Sequence, residues 1–325
     1  MQYVQLGDRG PSVSRIAFGN WSAGGDWGDV DRNGGIAAIR EALDLGINLF
    51  DTARAYGFGA AEELLGEALR PEIKSARESI VIATKGGLRN EGGAPARDSS
   101  PNALRHDLEL SLRALGTEYV DLYQVHWPDP ATPLAETART LDEFVRVGKV
   151  RYVGVSNYDA RQMTAFQQVR PIDTLQPPYH LFRRDIEESI LPFAREHGIG
   201  VLVYGPMAHG LLSGRMTEAT TFVPDDWRSK SDMFAGNAFE RNLAIVRQLE
   251  TFASGRGMTV AQLAIAWTLA NPAVDVAIVG ARNPEQIRQT APATDIHLSP
   301  EDLAQIEQIV RDEIPVGGPA PEKMA

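Results

Sequence analysis

The chain has no cysteine in its 325 residues. Disulfides, thiolate nucleophiles, zinc fingers and cysteine-held iron–sulfur clusters are thereby excluded. Positive charge is in deficit, with 32 Lys and Arg against 43 Asp and Glu and a formal net charge of −11. A surface of that sign is repelled by phosphate backbones, so nonspecific nucleic-acid binding is not expected. No apolar run approaches the ~20 residues that cross a bilayer. The start, "MQYVQLGDRG", has no basic stretch followed by an apolar one, so it does not read as a signal peptide. The default location is the cytosol, with no membrane partner. The six histidines show no H-E-x-x-H spacing, so no metal site is expected. Linkers and low-complexity segments are also missing, which favours one domain over two.

What is present is a 43% hydrophobic composition, enough for a sizeable core. It is arranged as short Val- and Ile-rich runs, the pattern of strands buried on both faces. They are "RIAFG" (15–19), "INLFD" (47–51), "IVIATK" (80–85), "VDLYQVH" (120–126), "VRYVGVS" (150–156), "IDTLQ" (172–176), "GVLVYG" (200–205) and "VAIVGA" (276–281). Helical patterns lie between them, such as "PNALRHDLELSLRALG", with Leu104, Leu108, Leu112 and Leu115 on one face. Ser100, Thr132, Asn283 and Ser299 each precede a proline and read as helix N-caps. "TVAQ" and "SPED" read as capping boxes. Gly46, Gly116, Gly148 and Gly198 read as helix stops. Eight strands alternating with helices predict an α/β fold, a (β/α)8 TIM barrel. Residues 1–14 predict an N-terminal β-hairpin plugging the barrel bottom. Residues 86–100 and 205–238 predict long loops on the C-terminal face, and 313–325 a mobile tail. An open doubly wound sheet is the other architecture considered. "GNWSAGGDWGD" does not supply its G-x-G-x-x-G, and "GFGAAE" lacks the third glycine.

Active sites of such barrels lie at the C-terminal strand ends. Strand two ends in Asp51, strand three in Lys85 and strand four in His126, with Tyr56 on the loop after strand two. A phenol titrates near 10 in water, and a neighbouring ammonium favours its anion. Asp51 would hold Lys85, Lys85 would tune Tyr56, and His126 would hydrogen-bond a substrate oxygen or relay its proton. Such a phenol suits carbonyl reduction, with hydride from a cofactor. Taken singly, each residue also has a structural explanation: an ion pair, a loop tyrosine, a core histidine.

At this point the chain resembles an aldo-keto reductase over nearly its whole length. "GINLFDTARAYGFGAAEELLGEAL" resembles the first family signature and "IVIATKGG" the lysine segment. "LRHDLELSLRALGTEYVDLYQVHWPD" resembles the second signature. "GKVRYVGVSN", "YGPMAHGLLSGRM" and "IVGARNPEQI" match as well. The detail is most similar to the bacterial branch with general stress reductases, related to potassium-channel β subunits. The resemblance implies NADPH bound without a Rossmann fold, and Tyr56 as general acid with Asp51, Lys85 and His126 around it. It implies Ser156, Asn157 and Gln176 on the nicotinamide carboxamide and Tyr204 stacked on the ring. Gly205, Pro206, Met207, Gly210, Leu211 and Arg215 would pass over the pyrophosphate. Arg282 would read the 2′-phosphate, because a guanidinium grips phosphate with two hydrogen bonds. Gln286 and Thr290 would lie near it, with Gly19, Trp21 and Gly280 at neighbouring strand ends. Gln286 also fits a capping pair with Asn283.

There are departures from the family pattern. Ala61 replaces a serine, Gly205 replaces a serine, and Gln289 and Thr290 replace a Glu-Asn pair near the adenine. NADH therefore stays admissible. Trp21, Trp27 and Trp127 are expected to line the substrate pocket, with Phe58, Trp227 and Phe234 as further loop aromatics, favouring hydrophobic or aromatic carbonyl compounds. Asp26, Asp29 and Asp31 either repel anionic substrates there or are simply solvated. Two other functions are weighed. One is a nucleotide-sensing subunit with little turnover, like the channel relatives. The other is a metal-dependent isomerase or hydrolase on the same barrel, which the scarcity of clustered His and carboxylates disfavours.

Overall fold

The computed structural model describes residues 1–25, 31–91, 94–224 and 226–311. All eight Val- and Ile-rich segments form strands: β1 (Ile16–Gly19), β2 (Leu49–Asp51), β3 (Val81–Gly86), β4 (Val120–Val125), β5 (Val150–Ser156), β6 (Thr174–Gln176), β7 (Gly200–Tyr204) and β8 (Val276–Gly280). They pair in parallel in sequence order, and β8 pairs with β1 to close the barrel. Alternate residues serve two cores. Ala17, Leu49, Ala83, Leu122, Leu202 and Val276 pack with one another inside the barrel. Phe18, Phe50, Ile82, Tyr123, Val201 and Ala277 pack outward under the helices. Both faces are buried, which is why these strands read as continuous apolar runs.

The helices are α1 (Arg32–Asp44), α2 (Ala60–Ala68), α3 (Arg70–Ser75), α4 (Pro101–Leu115), α5 (Leu134–Arg146), α6 (Ala160–Gln167), α7 (Ile190–Glu196), α8 (Gly236–Ser254), α9 (Val260–Ala270), α10 (Pro284–Thr290) and α11 (Pro300–Val310). Ser100, Asn283 and Ser299 accept from backbone amides of the first turn, and both capping boxes form. Thr132 is different. Its hydroxyl donates to Asp129 Oδ2 at 2.6 Å, and α5 begins after Pro133 without a side-chain cap. Asp129 also accepts from the Ser99 and Ala131 amides, so it collects this turn and draws Thr132 into it. Asp31 caps α1 at Gly34 N, which starts that helix ahead of its apolar pattern.

The N-terminal hairpin pairs Tyr3–Gln5 with Ser12–Ser14. Its Leu6 and Val13 join the inner core, and Asp8 N donates to Gly198 O at 3.0 Å, just ahead of β7. The hairpin therefore stoppers the N-terminal mouth and leaves the other end free for chemistry. The segment expected as a plain loop after β3 instead forms a second hairpin, Leu88–Glu91 with Ala94–Arg97. Its Gly- and Pro-rich composition hides a ladder that needs only backbone groups. The 205–238 segment holds three short 3-10 turns, Ala208–Ser213, Trp227–Lys230 and Asp232–Phe234, before α8 begins. The expected tail at 313–325, and Trp27, Asp26 and Asp29, lie outside the described residues. Among the described residues no helix is long and apolar enough to cross a membrane.

Candidate active site

Barrel closure places β2, β3 and β4 side by side, so Asp51, Lys85 and His126 arrive at one rim. Lys85 is 1% exposed and Asp51 3%. The Lys85 ammonium donates to Asp51 Oδ1 at 2.6 Å and to the Thr52 carbonyl at 2.9 Å. A charge buried this deeply persists only when paired. Gln176 Nε2 occupies the other Asp51 oxygen at 2.9 Å. Tyr56 comes in from the side on a 3-10 turn, Tyr56–Gly59. Gly24 of the first loop packs so closely there that a Cβ would sit 2.9 Å from the Tyr56 carbonyl carbon. The Lys85 ammonium lies 5.2 Å from the centre of the Tyr56 ring. His126 meets that ring edge-on, with centroids 5.6 Å apart and planes at 81°. Burial, and then the Lys85 charge, hold His126 well below the usual imidazole range. It is therefore neutral at physiological pH.

A second polar arc continues around the rim from β5 to β7. Ser156 Oγ donates to the Gln176 carbonyl at 2.7 Å. Asn157 Nδ2 donates to the His126 carbonyl and to Ser156 Oγ, both at 3.0 Å. The Tyr204 hydroxyl donates to Asn157 Oδ1 at 3.0 Å. Asn157 sits at φ 61, in the left-handed region that Asn tolerates better than most residues. Through Gln176 this arc is bonded to Asp51, so the two halves of the rim form one network.

Both arcs face a cavity of about 440 Å³. Asp51, Tyr56, His126, Ser156, Asn157, Gln176 and Tyr204 line one part. Gly205, Pro206, Met207, Gly210, Arg215, Gly280, Arg282, Gln286 and Thr290 line it too, as do Gly19 and Trp21. Two expected contacts are not there. Leu211 is fully buried in the core under the helices, so its side chain is not a cavity wall. Trp127 packs on Leu88 of the second hairpin, with the Arg97 guanidinium 5.2 Å over its ring, and does not line the cavity. Tyr204, which does line the cavity, packs against the same cluster. Trp227 does not line the cavity either; it stands behind two residues that do, stacked on Trp21 at 6.2 Å and 19° and edge-on to His209 at 4.9 Å.

Gln289, read beside Thr290 on the adenine side, lines the cavity as well, and other lining residues went unread as site residues: Asn20, His209, Ser213, Arg228 and Thr259. Arg228 is the one with a legible signal, a basic side chain on a long C-terminal-face loop. It grips Asp226 with Nη2 to Oδ2 at 2.6 Å and donates from Nη1 to the His209 carbonyl at 3.3 Å. Gln286 forms only half of the expected capping pair. Its amide donates to Asn283 Oδ1 at 3.1 Å, but its side chain accepts from Arg282 N at 2.8 Å. Arg215 Nη2 donates to Gln289 Oε1 at 2.9 Å. The cavity lining thus combines hydrogen-bonding groups and aromatic rings with three guanidiniums, Arg215, Arg228 and Arg282, of which Arg228 is paired with Asp226. In a chain of net charge −11 this is a local concentration of basic side chains. A flat polar ring joined to phosphates fits such a cavity.

Fold and site define a barrel oxidoreductase. Residues 15–311 match the model of the Aldo/keto reductase family, and the chain belongs to that family, whose members use nicotinamide cofactors and reduce carbonyl groups. It is 43% identical to the aldo-keto reductase YhdN of Bacillus subtilis (strain 168), with 100% of this chain and 98% of that one aligned. It is 34% identical to the NADH-specific methylglyoxal reductase of Escherichia coli (strain K12), over 95% of this chain and 98% of that one. Among solved structures, the glycerol dehydrogenase AKR11B4 from Gluconobacter oxydans superposes with a TM-score of 0.88 at 39% identity, covering 98% of both chains.

Proposed function

We infer that this enzyme reduces a small aldehyde or ketone with NADPH, reversibly, and that Tyr56 delivers the proton to the carbonyl oxygen. The observation that carries this reading is the buried Lys85 ammonium, anchored by Asp51 and held 5.2 Å from the Tyr56 ring. A fixed positive charge stabilises tyrosinate, so the phenol gives up its proton more easily than in water. The bound nicotinamide nucleotide supplies the hydride. Ser156, Asn157 and Gln176 hold the carboxamide, and Tyr204 offers a flat face that orients the ring. Neutral His126 donates or accepts a hydrogen bond at the substrate oxygen without adding charge. Trp21 walls the cavity, backed by Trp227 stacked on it, favouring a carbonyl compound with an apolar or aromatic flank. A nucleotide-sensing role would leave Tyr56 idle, and loss of turnover in Tyr56→Phe decides between the two readings.

Arg282 is the residue assigned to the 2′-phosphate, supported by Arg215 and Arg228 in the same cavity lining. Intrinsic fluorescence titration with NADPH and with NADH, on wild type and Arg282→Ala, tests this. The expected result is tighter NADPH binding in wild type. In the variant, NADPH affinity should fall roughly 10- to 100-fold, as for loss of a charge-assisted pair, with NADH affinity little changed. Equal affinities in wild type would mean that Arg282 does not read a 2′-phosphate, and tighter NADH binding would align this enzyme with its NADH-specific relative.

A further inference from the structure

Resting on the reading of Tyr56 as acid, we propose that Arg54, backed by the buried carboxylate of Glu62, is the positioning residue that fixes Tyr56 against Lys85. The turn that carries Tyr56 is an unfavourable piece of backbone. Gly57, Phe58 and Gly59 lie at φ 59, 48 and 114, three left-handed residues in succession. Two are glycine, which tolerates this, but Phe58 does so at a cost. Phe58 is also 45% exposed, so packing of its ring does not hold the turn. Arg54 does. Its amide donates to the Lys85 carbonyl at 3.0 Å, tying it to the residue whose ammonium faces Tyr56. Its guanidinium then crosses the turn and donates from Nη1 to the Phe58 carbonyl. A Cβ at Gly59 would meet that Nη1 at 2.0 Å, so the glycine makes room for the guanidinium as well as for the backbone.

Glu62 stands behind Arg54. It is fully buried on α2, and its Oε2 faces Arg54 Nη1 at 3.8 Å. Its Oε1 accepts from Thr84 Oγ1 at 2.7 Å, and Thr84 is the neighbour of Lys85 in β3. Oε2 accepts no hydrogen bond among the described residues. Burial pushes this carboxyl up, while hydrogen bonding and the Arg54 charge work against that. A carboxylate desolvated this far is costly unless it is matched, and Arg54 is the cation beside it. The Arg54–Glu62–Thr84 unit thus braces the Tyr56 turn on the strand that carries Lys85, while adding no group to the reacting atoms.

The test compares Arg54→Met, Arg54→Lys, Arg54→Met/Glu62→Gln, Tyr56→Phe and Arg54→Met/Tyr56→Phe. The second-site change in the double variant removes the stranded buried carboxylate, so a folded protein is available even if Arg54→Met alone does not fold. Assays use methylglyoxal for reduction and glycerol for oxidation, with whichever of NADPH and NADH binds more tightly. Loss of positioning should lower kcat roughly 10- to 100-fold, the range associated with misplacement of about 1 Å. KM should change less than about threefold, and nucleotide affinity should hold, as expected for a group acting only on the chemical step. The pH at which oxidation rises should move upward, because a tyrosine farther from Lys85 ionises later. Amides of 56–59 should exchange faster in nucleotide-free protein. Arg54→Lys should recover part of kcat, and adding Arg54→Met to Tyr56→Phe should cost nothing further. A folded double variant with wild-type kcat and pH profile, beside an inactive Tyr56→Phe, would overturn the positioning role alone. Tyr56→Phe turning over at the wild-type rate would overturn the acid reading beneath it.

Discussion

The Asp51–Lys85 pair shows how one contact can belong to both folding and function. Removing one partner strands the other charge in the core, because both are almost fully buried. Asp51→Leu is expected to destabilise by about 3–5 kcal/mol. Asp51→Leu/Lys85→Met is expected to recover most of that loss, since an apolar pair of similar volume carries no desolvation cost. Turnover should not return with it, because Tyr56 has lost its cation. Urea unfolding and kcat on the same samples separate the two effects; a double variant with wild-type kcat would make the pair structural only. Asp51, Lys85 and His126 were legible in the sequence because each closes an apolar run, and barrel closure brings run ends together. His209 was not. It and Ala208 sit at φ 56 and 47, left-handed conformations that an alanine in a pattern does not announce.

At the scale of elements, the same close packing that positions the rim also overrides helix propensity. Gly66 sits inside α2, where alanine would ordinarily gain about 1 kcal/mol. A Cβ there would lie 2.4 Å from the Leu115 carbonyl oxygen at the end of α4, and backbone on both sides leaves little room to yield. Gly66→Ala is therefore expected to destabilise by about 1–3 kcal/mol, read as a lower urea midpoint with unchanged m. A rise in the midpoint would mean that α2 and α4 slide apart freely, which would also loosen Glu62 and the Tyr56 turn. Strands and most helix ends were readable because their causes are local: apolar runs, Ser-Pro and Asn-Pro caps, and left-handed stops such as Gly116 at φ 67. The second hairpin and the start of α5 were not. One is made by backbone pairing alone, and the other is decided by Asp129, several residues away from the proline that suggested a cap.

Across the whole molecule, burial of polar groups makes stability depend on pH. His126, His180 and His209 are all buried, while His106, His197 and His297 are exposed. Burial is the first cause that lowers each of the three, taking His209 to about 3, with Lys85, Arg183 or Arg228 charge adding to it. Unfolded imidazoles take up protons below about 6.5, and these three do not while folded. The unfolded state then binds more protons, so their contribution is full above about pH 6.5 and is lost as pH falls. Glu62, Asp107, Asp173 and Asp275 act in the opposite sense. Burial raises each of them, so the folded state gains protons as pH falls through their values. Net acid sensitivity alone would therefore not identify the histidines. His180 is the one to change, since it is 1% exposed and does not line the cavity, with His209 and Arg183 the groups whose charge bears on it. His180→Gln loses the hydrogen bond that His180 Nδ1 accepts from Phe182 N, which shifts stability at every pH. The pH-dependent part is separate from that offset. Between pH 7.5 and 5.5 the variant should lose about 1.4 kcal/mol less than wild type, one proton's worth of uptake on unfolding. Urea titrations at the two pH values measure that difference directly. Parallel losses would mean that His180 takes its proton in the folded state, and that the core beneath His209 and Trp227 admits a charge this structure places out of reach of water.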